Sequence, residues 1–268
     1  MAGVRFKRLR LLLNDLKSIA RGWYFAFARM QIPSHTFTDW NRISIFATKI
    51  KQREGPDRIN ENRIANMELC CSLLSGLILK PGQIFSLQKM IGDPDHNSGF
   101  KDGPMIVRGR LQTSSGGGLC QVSTTLFNAA LQADFDILEK YNHSIDIWGS
   151  ERFIDLGKDA IYVFARRDLK FKNTHSHDAV LHLEVDKEKL ELTCRILSPQ
   201  NLPCSVSVSS QVLKELLHPE HHTVDSSRHR KGWVVLTERK TESPDGKVRT
   251  TFHRFERYKA VILPEREQ

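Results

Sequence analysis

Three consecutive glycines, Gly116-Gly117-Gly118, run directly into Leu119-Cys120-Gln121 and on into Val122-Ser123-Thr124-Thr125-Leu126-Phe127-Asn128-Ala129-Ala130-Leu131. This junction constrains the fold more than any other stretch. Glycine frees the backbone to take positive φ angles. The apolar positions that follow, 122, 126, 129, 130 and 133, recur at helical spacing. The pattern predicts a tight loop feeding a helix, with Cys120 in the last loop residues or the first turn. Unpaired N–H groups and the helix dipole favour negative charge there, which promotes the nucleophilic thiolate. The competing reading of the same residues is a glycine turn before a packed helix, with Cys120 a small buried hydrophobe.

Length and composition bound the rest. A chain of 268 residues holds one large domain or two small ones. Its 40% hydrophobic and 26% charged content predicts a mostly folded globule. A net charge of +9 favours anionic partners, whether nucleic acid, anionic lipid or an acidic wall polymer. No RNA-binding aromatic signature, zinc-finger spacing or P-loop occurs, so no specific nucleic-acid partner is expected. Five cysteines, two of them adjacent at Cys70 and Cys71, do not form a disulfide framework and predict a reduced compartment. The basic N-terminus lacks the continuous apolar run and cleavage site of a signal peptide. A membrane-spanning helix needs about 20 mainly apolar residues, and Lys17, Arg21 and Arg29 interrupt every candidate span. The expected location is cytoplasmic, with peripheral membrane contact as the second option.

That option rests on residues 5–31. Leu9, Leu12, Leu13, Leu16, Ile19, Trp23, Phe27 and Met30 fall at helical spacing among Arg5, Lys7, Arg8, Arg10, Lys17 and Arg21. Such a helix either docks its apolar face on the core or lies on an anionic membrane, and docking is the favoured expectation. Residues 32–58 are mixed, and 59–79 read as a second helix. Short strands are expected at 84–87, 104–111, 144–148, 160–164, 169–171, 180–185 and 190–197. Residues 199–229 read as an irregular, histidine-rich linker. A terminal β hairpin turns on Ser243-Pro244-Asp245-Gly246. The fold class is α+β, a single mixed domain of short antiparallel strands around a central helix. It divides into an N-terminal helical extension over 1–58, a core over 59–198, and a linker with a C-terminal β extension packed on the core over 199–268.

From about 60 to 197 the chain resembles the VanW family of bacterial proteins. Pro81-Gly82-Gln83-Ile84-Phe85-Ser86 looks like the family's proline-glycine-x-x-phenylalanine-serine element, with Gly92 after it. Gly99-Phe100 stands where the family usually has glycine-tyrosine. Gly116 through Ala129 is close to the most specific motif. His143-Ser144, Gly157-Lys158-Asp159-Ala160 and Asp168-Leu169-Lys170-Phe171-Lys172-Asn173 follow in family order. The resemblance implies a cell-envelope or glycopeptide-resistance context, with a peptidoglycan fragment or another anionic ligand as partner. It implies no established reaction.

Within that context Cys120, His143 and Asp159 form a candidate catalytic constellation. A cysteine at a helix start, then a histidine, then an acid near a strand is the chain order of papain-like and transglutaminase-like enzymes, thiol amidohydrolases and acyltransferases. Gln121 or the glycine-loop amides are candidates to stabilise an oxyanion. Two alternatives stand beside this. A non-catalytic module could clasp an anionic wall ligand with Gly116, Gly117, Gly118, Gln121, Ser123 and Thr124 at the helix start. A glycan-cleaving enzyme would need two carboxylates from among Asp93, Asp95, Asp102 and Asp159. His175, His177 and His182, and His218, His221 and His222, cluster in sequence but lack tight zinc-ligand spacing, so neither metal nor cofactor is expected.

Overall fold

The computed structural model describes residues 2–53, 56–107, 110–219 and 228–263; side chains are described over the same spans apart from residues 2–5 and 104–107 and 110–112. The glycine-to-helix junction sits at its centre. Helix α4 (Leu119–Gln132) is buried on nearly every side. It follows α1 (Ala2–Ala20), β1 (Asn41–Lys49), α2 (Asp57–Leu74), β2 (Ile78–Leu79), β3 (Ile84–Ser86), α3 (Leu87–Ile91), β4 (Asp102–Val107) and β5 (Arg110–Ser115). After it come β6 (Asp136–Glu139), β7 (Lys170–Lys172), β8 (Ala179–Asp186), β9 (Glu191–Ser198), β10 (Ser205–Leu216), β11 (His229–Arg230), β12 (Gly232–Glu242), β13 (Val248–Tyr258) and β14 (Val261–Ile262).

The architecture is α+β, with short antiparallel strands gathered into several small sheets. One sheet has the order β1-β9-β8-β2, another β3-β7-β6, and a third β10-β12-β13. Helices α2 and α4 pack against the first sheet, and the main apolar core lies between them and β8 and β9. The motif pieces are stitched to one another through side chains. Ser86 Oγ donates to Asp168 Oδ2 at 2.6 Å, and the Gln88 amide donates to Asp168 Oδ1 at 2.9 Å. Asn173 Nδ2 donates to Leu79 O and His177 O, both at 2.8 Å.

Several sequence expectations change here. Residues 41–49 form β1, paired with β9 along its whole length. Residues 104–107 and 110–111 belong to two antiparallel strands, β4 and β5, rather than one strand. The expected strand at 144–148 is a loop. Asp146 folds it back by accepting from the Gly149 amide, Arg152 and Trp233 Nε1. The segment 160–164 joins no sheet: Thr124 Oγ1, a side chain of α4, takes the Ala160 amide, the Ile161 amide donates to Tyr141 O, and Val163 turns back to bridge Arg167. Residues 205–216, read as part of a linker, form the 12-residue strand β10. The terminal hairpin is thus the outer part of a three-stranded sheet.

That C-terminal sheet docks on the core through buried polar pegs. Arg239 Nη1 donates to Leu131 O and Phe135 O, within and just beyond the last turn of α4, where a cation complements the helix C-terminus. Lys140 Nζ, fully buried, donates to both oxygens of Glu256, itself 2% exposed. Tyr258 reaches the loop carrying Asp159.

Helix α1 is shorter than the expected 5–31 span. It ends before Gly22, whose φ of 69° breaks the helix. Residues 26–32 then run as an extended tail stitched to β3 and to Gly76: Ile84 N donates to Ala26 O and Ile32 N to Gly76 O, both at 2.8 Å. The expectation that the apolar face of α1 covers the core is not met, since that face points away from it.

Candidate active site

Each glycine of the triplet has its own physical role. Gly116 takes a φ of 83°. A Cβ on Gly117 would stand 2.4 Å from the backbone carbon of Gly103, so this residue is glycine because the β4–β5 hairpin base lies against it. Gly118 is the N-cap of α4 at a φ of 103°. The loop is held from α2, where Asn66 Nδ2 donates to Gly117 O and Lys101 O, both at 2.9 Å. The loop therefore delivers Cys120 into the first turn of α4, half-buried, with Sγ 3.9 Å from the Tyr162 carbonyl.

His143 and Asp159 meet beside it. His143 Nδ1 lies 2.6 Å from Asp159 Oδ2, and the same oxygen accepts the His143 backbone amide at 2.7 Å. His143 and Cys120 line the same cavity, and the nearby sulfur adds to the raising of the His143 pKa. Asp159 occupies Nδ1, so Nε2 is the ring nitrogen left for the sulfur. Burial works against charge on both members of the pair. It pulls the imidazolium down, but the bond to Asp159 and the contact with Cys120 outweigh it and raise the His143 pKa to about 10. It pushes the carboxyl up, but the bonds to His143 and the field of Lys140 hold Asp159 at about 2. The pair is therefore charged across the neutral range.

Asp159 is clamped from two sides. Its other oxygen accepts a hydrogen bond from the Tyr258 hydroxyl, and that hydroxyl accepts from the Gly157 amide at 2.7 Å. Helix α4 holds the segment on either side of Asp159. Thr124 Oγ1 accepts from the Ala160 amide at 3.0 Å, and Asn128 Nδ2 donates to Lys158 O at 2.7 Å. One helix thus carries the cysteine at its start and fixes the acid's segment one and two turns later.

Cys120 and His143 open onto a cavity of about 140 Å³. Its walls are aromatic and cationic, including Arg53, Arg63, Trp148, Phe153, Tyr162 and Phe164. The Arg53 guanidinium stacks 3.6 Å from the Trp148 ring centre. Burial lowers Arg63, to about 10. No Asp or Glu is among the described residues lining this cavity.

The remaining candidates fall elsewhere. Gly116, Gly118 and Gln121 line the cavity, while Gly117 faces Gly103. Ser123 and Thr124 are fully buried on other faces of α4. Gln121 is a poor oxyanion donor because its amide is already used: Oε1 accepts from Arg63, and Nε2 donates to Thr48 Oγ1 and Lys49 O at 3.0 Å. Asp93 pairs with Lys7 and Asp95 caps a short turn, both on a neighbouring groove, and Asp102 is exposed on β4, so none of the three lines the Cys120 cavity. His175 Nε2 donates to Ala133 O at 2.7 Å, and His221 and His222 lie outside the described residues. Among the described residues no group of three His, Cys, Asp or Glu is placed to hold a metal.

Sequence reasoning missed two sets of supporting residues. Asn60, Arg63 and Asn66 form a buried polar stripe on α2 that holds Arg53, Lys51, Gln121 and the glycine loop. Their spacing of three, in line with Met67 and Cys70, was the available signal. Tyr258 and Lys140 are separated from Asp159 by too much chain for any local pattern to connect them.

Residues 62–196 match the VanW like protein family. The chain is 31% identical over 131 residues to the vancomycin B-type resistance protein VanW of Enterococcus faecalis (strain ATCC 700802 / V583), covering 48% of each. It is 31% identical over 122 residues to a protein named as uncharacterized, YoaR of Bacillus subtilis (strain 168), covering 46% of this chain and 39% of that one. The chain thus spans less than half the length of these curated relatives. No solved structure matches it at a significant level. A family match over half the chain, spanning the glycine loop, Cys120, His143 and Asp159, places this protein in the VanW family.

Proposed function

We propose that this VanW-family chain is a thiol-dependent amidohydrolase or acyltransferase acting on a cell-envelope component that bears an anionic group. The observation that carries the reading is that Cys120 and His143 line one cavity while Asp159 holds His143 and Tyr258 holds Asp159 behind it. The envelope context comes from the name of the Enterococcus relative, a vancomycin resistance protein. The anionic preference comes from Arg53 and Arg63 in a wall without carboxylates.

The chemistry follows from the positions. Cys120 Sγ attacks the carbonyl carbon of an amide, and the oxyanion that forms faces the Cys120 backbone amide, because the Leu119, Gln121 and Val122 amides already donate to Gly116 O and Gly118 O. The C–N bond breaks as the His143 imidazolium gives its proton to the leaving amine, leaving a thioester on Cys120. Water, or a second amine in the transferase case, then attacks the thioester. His143 takes its proton, the C–S bond breaks, and thiolate and imidazolium are restored. Asp159 holds Nδ1 throughout and keeps the imidazolium in place. The absence of carboxylates from the described wall disfavours a two-carboxylate glycan hydrolase.

An activated acyl ester tests this by intact-mass spectrometry. The expected result is a single acyl adduct on Cys120 that a nucleophilic amine discharges. It should be absent in Cys120→Ala and at least about a hundredfold slower to form in His143→Ala. An adduct distributed over several cysteines, or unchanged in His143→Ala, contradicts the proposal.

A further inference from the structure

Helix α1 is amphipathic in the opposite sense to a core-covering helix. Its polar side faces the body. Lys7 Nζ pairs with Asp93 and Lys89 Nζ with Asp15, both at 2.6 Å, and Ser18 is buried. Its apolar side faces away. Phe6, Leu9, Leu12, Leu13, Leu16 and Ile19 are each between 47% and 64% exposed. At 100° per residue these six occupy one arc, with Arg8 on one border and Arg10 and Lys17 on the other. The turn after the helix continues the surface with Trp23, Tyr24 and Phe25, the last 95% exposed. The tail stitched to β3 and Gly76 fixes the helix's departure point, so this face is held outward by structure on its inner side.

Charge says what covers it. Residues 2–31 contain seven basic side chains and one acidic one, and the acidic one, Asp15, is turned inward onto Lys89. A second copy of the same face would bring the basic borders against each other. An anionic bilayer instead matches all three features: apolar arc to acyl chains, basic borders to headgroups, and aromatic residues at the interface. No described helix is long and apolar enough to cross a membrane.

We propose that α1 and the Trp23-Tyr24-Phe25 turn are an in-plane docking surface for an anionic lipid bilayer. The surface adjoins the cavity. Pro94, Val163 and Phe164 line both the Cys120 cleft and the groove lined by Phe6, Lys7 and Arg10. Docking thus brings the rim of the cleft to the headgroup level. The lipid interaction does not depend on chemistry at Cys120, and its test uses no activity.

Sedimentation of the full chain with phosphatidylcholine vesicles, with and without phosphatidylglycerol, provides that test. Binding should require the anionic lipid and weaken as salt shortens the Debye length from about 10 Å to about 3 Å. Leu9→Glu/Leu13→Glu/Leu16→Glu should abolish it. Arg8→Ala/Arg10→Ala/Lys17→Ala should weaken it at least about tenfold. Both variants should keep the parent melting temperature because the altered side chains are exposed or, for Arg10, only half-buried. Val248→Glu/Phe255→Glu, which alters exposed apolar residues on β13, should bind like the parent. Absent binding, or binding unchanged in the leucine variant, overturns the proposal. So does a dimer in solution that the leucine variant dissociates while neither form binds vesicles.

Discussion

At the residue scale the account depends on the protonation of two side chains. The folded pKa of His143 is raised to about 10 from 6.5, so its contribution to stability is complete below pH 6.5 and is lost as pH rises through 10. That of Asp159 is lowered to about 2 from 3.8, so its contribution is complete above 3.8 and is lost as pH falls through 2. Both are fully present between those ordinary values. The imidazole resonances of His143 in a proton NMR titration should accordingly remain those of the imidazolium past pH 8. A midpoint near 6.5 would contradict the ion pair. Of this arrangement, Cys120 was legible in the sequence because the break from glycines to a 3.6-residue period marks a helix start. His143 and Asp159 were legible only by their order after it. Tyr258 was not legible, since nothing local links it to a residue 99 positions earlier.

At the scale of elements, the site is assembled where α4 meets three neighbours. α2 holds the glycine loop through Asn66, α4 holds the Asp159 segment through Thr124 and Asn128, and β13 brings Glu256 and Tyr258 down onto Lys140 and Asp159. The buried Lys140–Glu256 pair gives a sharp test. Lys140→Ala leaves the buried Glu256 carboxylate with only the more exposed Arg254 at 3.3 Å and should cost about 3–5 kcal/mol in chemical denaturation. Lys140→Met/Glu256→Leu removes both charges and should cost far less. Equal losses for the single and double changes would show that the pair does not anchor the sheet. The strands that sequence reasoning missed have a common cause. β10 opens Ser205-Val206-Ser207-Val208-Ser209, an alternation that its serine content disguised as linker. The expected strand at 160–164 failed for the reverse reason, because an α4 side chain and loop carbonyls take its amides.

At the scale of the molecule, the chain has an active-site candidate at the end of its central helix and an apolar, basic face beside it. Helix α1 shows why periodicity alone could not decide between core and membrane. The same apolar spacing serves either, and the choice was made by ion pairs with Asp93 and Lys89 that lie far away in sequence. The family match covers the portion that carries Cys120, His143 and Asp159, and it excludes Tyr258 and α1. The local glycine-loop geometry thus belongs to the family portion, while the clamp on the acid and the outward helix lie outside the matched residues. The central claim is that these parts make Cys120 a reactive thiol. Its most direct test is the rate of iodoacetamide alkylation of each cysteine, followed by mass spectrometry near pH 6. Cys120 should react at least about tenfold faster than Cys204, which is also half-buried, and should lose that advantage in His143→Ala. Alkylation of Cys120 no faster than Cys204, or a rate indifferent to His143→Ala, would contradict the account.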